Sequence, residues 1–198
     1  MRISGLHAML VAVIGVACSD DTTAPTVTWI ATINVANETP APTGTTDLGG
    51  TATITISGGG TAAATITYSL ALTGTPTSTI TAAHIHTAAA GATGTIRVNL
   101  CGTSAVTADA THPGSQPATP TCPQSGGNVS GQIVNYTSGS TYALGCTLNT
   151  AGTACASNQL TFDQLVTALR GYGAYVNVHT TTNGGGEARG QLLPPALP

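Results

Sequence analysis

Apolar residues at every second position, separated largely by threonine, limit most strongly what this chain can fold into. From Val27 the side chains of Val27, Trp29, Ala31, Ile33 and Val35 alternate with Thr28, Thr32 and Asn34. Ala52, Ile54 and Ile56 alternate with Thr51, Thr53, Thr55 and Ser57. Beyond Gly58-Gly59-Gly60, Ala64, Ile66, Tyr68, Leu70 and Leu72 repeat the pattern. A period of two is that of a strand with one buried face; a helix would show 3.6. The glycine run between two such stretches reads as the turn of a hairpin.

Further strands are expected at 82–86, 95–100, 129–135, 173–179 and 187–192. One segment departs from the β pattern. Thr161 and Gln164 have capping-box spacing, Phe162, Leu165, Val166 and Leu169 form one apolar stripe, and Gly171 is placed to end a helix there. Residues 103–127 and 138–158 read as long cysteine-bearing loops. About eight short strands with turn signals between them imply an all-β domain, an antiparallel β-sandwich or Greek-key barrel with one short helix.

Charged residues make up 6% of the chain and apolar ones 41%, with a mean hydropathy of +0.22. Disorder needs low hydrophobicity and high net charge, so this chain folds, and Thr, Ser, Asn and Gly must keep it soluble. It has no lysine, and its arginines are Arg2, Arg97, Arg170 and Arg189. With a net charge of −3, nucleic acid is excluded as a partner, because phosphate binding rests on clustered Lys and Arg. No G-x-S-x-G, H-E-x-x-H, P-loop or G-x-G-x-x-G occurs, and Asp109 and Asp163 are not marked as an acid/base pair. No catalytic residue is assigned, and the reading is of a non-enzyme.

Residues 1–17 read as a signal peptide. Arg2 precedes an apolar stretch from Leu6 to Ala17 that, at about a dozen residues, is too short for a bilayer. Gly15-Val16-Ala17-Cys18 resembles a lipobox with Gly15 where leucine is usual, so Cys18 is the expected lipidation site and 18–26 a tether. Ordinary signal-peptidase cleavage before Cys18 is the alternative. The domain then spans 27–193 and a tail 194–198. Cys101, Cys122, Cys146 and Cys155 remain, an even set that allows three pairings. Nearest-neighbour bridges, Cys101–Cys122 and Cys146–Cys155, are expected, each closing a Gly/Ser/Thr/Pro-rich loop in an oxidising compartment.

Two signatures carry a family resemblance. One is Ala83-His84-Ile85-His86 followed by Thr95-Ile96-Arg97-Val98-Asn99-Leu100; the other is Tyr175-Val176-Asn177-Val178-His179-Thr180 running through Gly184-Gly185-Gly186 to Glu187-Ala188-Arg189-Gly190-Gln191-Leu192. With Asn37-Glu38-Thr39-Pro40 between the first strands, they resemble the CHRD (chordin-type) domain family over 27–192. The resemblance implies an all-β extracellular module with a binding or structural role. Animal members belong to proteins that sequester extracellular signalling ligands. Here the implied partner is an unidentified extracellular or envelope protein, and the membrane is met only through the lipid anchor, most simply in a bacterial outer membrane.

The same signatures place imidazoles. His84 and His86 share one face of a strand; Tyr175, Asn177 and His179 share one face of another. If those faces meet, His84, His86 and His179 form a ligand set adequate for copper or zinc, giving a metal-binding, redox-related domain as the alternative function. Asn177, Glu187 and Arg189 are then the residues placed to orient the rings. A hydrogen-bonded polar network without metal uses the same residues and stays open. Copper–zinc superoxide dismutases also carry a His-x-His strand, but no zinc loop is recognisable here, and His112, beside Pro113, reads as an ordinary loop residue.

Overall fold

The computed structural model describes residues 26–57, 65–102, 120–124, 127–134, 147–148, 155–157 and 162–195. The tether, Cys18, His112, Asp109 and Cys146 lie outside them. The alternation noted above becomes β1 (Val27–Asn34), β2 (Gly49–Ser57) and β3 (Thr65–Thr73), followed by β4 (Ile80–Thr87), β5 (Thr95–Gly102) and β6 (Asn128–Val134). Two short strands, β7 (Thr147–Leu148) and β8 (Cys155–Ser157), precede α1 (Phe162–Arg170), β9 (Tyr175–Thr180) and β10 (Ala188–Gln191).

Eight strands form one antiparallel sheet in the order β5-β4-β9-β10-β1-β2-β3-β6, while β7 and β8 pair apart. The sheet curls into a nearly closed barrel, so β5 and β6, its two ends, come together. The Tyr68 hydroxyl on β3 donates to the Leu100 carbonyl on β5 at 2.8 Å and ties this seam. Closure suits a chain this poor in charge, because an open edge would offer unpaired backbone groups to other chains.

The period-two pattern sets the core. Trp29, Ala31 and Ile33, Ala52, Ile54 and Ile56, and Ile66, Leu70 and Leu72 are all buried, joined by Ile85, Val98, Leu100, Val176, Val178 and Ala188. The stripe of α1 behaves as expected, with Leu165, Val166 and Leu169 buried in the same cluster. The helix ends at Arg170, so Gly171 stops it as expected. Tyr172, not Gly171, takes the left-handed conformation (φ 55°), Gly173 N donates to Ala168 O, and Tyr172 N donates to Leu169 O. These two bonds make a Schellman closure with a tyrosine where glycine is usual.

Cys101 and Cys122 form a disulfide across a separation of 21 residues, both buried. Gly102 N donates to Pro120 O beside it, and the Gln124 amide bonds both backbone groups of Ile80, so the segment after β5 is pinned to β4. Among the described residues, no helix is long and apolar enough to cross a membrane.

Candidate functional site

β4, β9 and β10 lie side by side, and their outward face is polar. In register across the strands, His84 faces Asn177 and Asn177 faces Arg189; one step along, His86 faces Tyr175 and Tyr175 faces Gln191. Ala82 lies opposite His179. Register shifts in the β4–β5 pairing fall between Ala83 and His84 and between Ile85 and His86, irregularities of the kind that re-aim side chains. The three imidazoles converge: ring centroids are 4.7 Å apart for His84–His179, 5.7 Å for His86–His179 and 5.8 Å for His84–His86. One nitrogen from each ring can be chosen so that all three lie within 4.8 Å of one another.

This outer face is not open to water. His84, His86 and His179 are only 4%, 6% and 7% exposed. Two loops are bonded to the rings. Gly94 O, in the β4–β5 loop, accepts from His86 Nδ1 at 2.9 Å, and Gly184 O, in the β9–β10 turn, accepts from His179 Nδ1 at 3.1 Å. Arg189 holds the first of these loops by donating from Nη1 to Ala92 O (2.9 Å), and holds the segment after β1 by donating from Nε to Asn37 O (2.6 Å). Its guanidinium also lies 5.0 Å from the centre of the Tyr175 ring, which stacks on His86 at 4.9 Å.

A carbonyl oxygen can only accept, so Nδ1 of His86 and of His179 carries the proton. Burial holds the His86 pKa down, to about 4, and the charges of His179, Arg189 and Arg97 add to it, against the pull of the Gly94 bond. Burial lowers His179 likewise. Both rings are therefore neutral at pH 7, with the lone pair on Nε2. Neither Nε2 has a hydrogen-bond partner, although both are buried. Backbone carbonyls that fix the tautomer of a neutral imidazole and leave the other nitrogen bare are the usual setting of a metal-ligating histidine.

The CHRD-domain model matches residues 29–192. The chain belongs to the CHRD-domain family. No curated protein and no solved structure matches it. The CHRD match spans β1 to the end of β10, so both signatures and the Asn-Glu-x-Pro turn fall inside one domain.

Within this CHRD domain the other expected residues are distributed unequally. Asn177 stands beside His84 and two residues from His179 on the same face. Arg189 acts at one remove, on the loop whose Gly94 fixes His86. Glu187 is bonded elsewhere: Oε1 accepts from Thr46 Oγ1 and Thr77 N, both at 2.7 Å, and Oε2 accepts from Thr180 Oγ1 (2.6 Å), Asn183 Nδ2 (3.0 Å) and Thr77 Oγ1. It knits three loops at one end of the barrel. Burial alone would raise its pKa, but the hydrogen bonds from Thr180, Thr77, Asn183 and Thr46 outweigh that and hold it at about 2.

One residue was not singled out as a site residue from sequence. Glu38, in the Asn-Glu-x-Pro turn, is buried, its Oε1 lies 3.8 Å from Arg189 Nε, and it accepts from Thr39 N at 3.0 Å. Only the motif itself could have flagged it.

These shifts fix the sign of the pH dependence. Below its ordinary value of 6.5, His86 takes up a proton in the unfolded chain but not in the folded one until about pH 4. Stability is therefore whole above pH 6.5 and falls on acidification towards pH 4, by about 1.4 kcal/mol per pH unit for each such proton. Glu187 extends the loss from 4.5 towards about 2. Urea midpoints at pH 7, 5.5 and 4 should fall in that order; a flat profile would contradict the assigned neutral imidazoles.

Proposed function

We propose that this chain is an exported, lipid-anchored CHRD-domain binding module of the bacterial cell envelope, and that its domain holds a copper or zinc ion on His84, His86 and His179. The observation that carries the metal reading is the pair of buried, unpartnered Nε2 lone pairs on His86 and His179, set in place by Gly94 and Gly184. A buried acceptor left bare costs about 1–3 kcal/mol. A cation shared between such lone pairs removes that cost. Neutral imidazole suits both metals. Zinc–nitrogen bonds of about 2.0–2.1 Å place tetrahedral ligand atoms about 3.3 Å apart, so the rings close inward on the ion from their present 4.8 Å spread.

The rival reading is a purely structural imidazole network. The Tyr175–His86 stack and the two carbonyl bonds support it, but it leaves those lone pairs without purpose. Thermal melts separate the two. Added Zn²⁺ or Cu²⁺ at about 100 times Kd should stabilise the native state by about 2.7 kcal/mol, less below pH 4 than at pH 7 because protons compete for the ligands. His179→Gln should abolish that gain. A melting temperature indifferent to both metals favours the structural network.

Export and anchoring rest on the apolar stretch before Cys18. Globomycin should make the uncleaved precursor accumulate, and unaffected processing would point to ordinary secretion.

A further inference from the structure

Around the imidazoles the polar groups do not balance. His86 Nε2, His179 Nε2, Asn177 Oδ1 and Glu38 Oε2 are all buried and all lack a hydrogen-bond partner. Each of these four is an acceptor when Glu38 is ionised: burial raises its pKa, while the Thr39 N–H bond and nearby Arg189 favour the carboxylate. Arg189 Nη2 is a donor left bare beside them. A cation on the histidines satisfies the first two acceptors and leaves two oxygens.

Those two oxygens are neighbours. Asn177 Oδ1 and Glu38 Oε2 each lie 2.7 Å from the point where a Cβ on Gly186 would sit, so they are at most twice that distance apart. One water donating to both would span about 4.4 Å, a separation that this limit allows. Asn177 also stands directly across from His84 and two residues before His179 on the same face. Directly opposed residues have Cβ atoms about 4.5–5.5 Å apart, so Asn177 flanks the imidazole cluster.

We propose that the metal site is an open one, in which the ion carries a water on its fourth position and that water donates its hydrogen bonds to Asn177 Oδ1 and Glu38 Oε2. This rests on the metal reading above and adds to it. Three protein ligands plus water is the arrangement of zinc sites that do chemistry, whereas sites that only brace a fold are closed by four protein ligands. The three histidines are only 4–7% exposed, so large substrates are excluded. Glu38 is thereby assigned a place at the site: it holds the water and does not ligate the ion.

The test is pulsed electron paramagnetic resonance on the full chain loaded with Cu²⁺, in H₂O and in D₂O. The expected result is coupling to imidazole nitrogens together with an exchangeable deuteron on a coordinated water. Nitrogen coupling without an exchangeable coordinated deuteron overturns the open site and leaves the metal reading standing. No nitrogen coupling at all removes both. As a second readout, Glu38→Gln and Asn177→Leu should keep the copper stoichiometry while azide displaces the water about tenfold more readily, because each variant weakens the bonds that retain it. Azide affinity unchanged in both variants also overturns the assignment.

Discussion

Glu187→Leu is expected to cost about 3–5 kcal/mol, the scale seen when one partner of a buried, hydrogen-bonded charge is removed. For a domain of this size that corresponds to a fall in Tm of about 10 °C or more. The reason is local. Leucine fills a similar space but leaves five donors, on Thr46, Thr77, Thr180 and Asn183, facing an apolar side chain. Asn183 also bonds the backbone and side chain of Thr43, so the disturbance reaches the segment before β2. Glu187→Gln keeps one acceptor oxygen and should lose less. A Glu187→Leu variant melting within 2–3 °C of the native chain would contradict the role given to this carboxylate.

The second large effect is steric. Gly102 ends β5 at φ +77°, and a Cβ there would lie 1.9 Å from the carbonyl oxygen of Thr81 on the neighbouring strand. That atom belongs to backbone, so relief requires β4 to move, next to the Cys101–Cys122 disulfide and one strand from the histidines. Gly102→Ala should therefore cost about 3 kcal/mol or more, combining the left-handed conformation with the clash. Gly185→Ala is the control: nothing lies within 4 Å of its added methyl, and such a surface change should stay within about 0.5 kcal/mol. Equal melting temperatures for the two variants would contradict the strand placement.

Much of this architecture is legible from alternation alone. The inward faces of β1, β2 and β3 follow from Trp29, Ile54, Ile66 and their neighbours, because a slip of one residue would turn every apolar side chain outward. The same rule puts His84 with His86 and Asn177 with His179. What alternation cannot give is the order of strands. β4 meets β9, nearly a hundred residues later, and β10 meets β1 at Asn34 and Arg189. Such pairings depend on how the whole sheet closes. For that reason Glu38 could not be set beside Arg189 from sequence, and Glu187 could not be separated from the imidazoles despite sharing a strand face with Arg189. The helix end at Gly171 was legible, but the left-handed residue beyond it was not, because the two backbone bonds that close α1 put Tyr172 in a conformation that glycine usually takes.

The most direct measurement is metal analysis of the untagged protein purified from expressing cells, alongside a variant carrying His84→Ala, His86→Ala and His179→Ala together. The account predicts near-stoichiometric copper or zinc in the native protein and background metal in the variant. Background metal in the native protein, unchanged after reconstitution with either ion, would contradict it and leave the CHRD domain with a structural imidazole network.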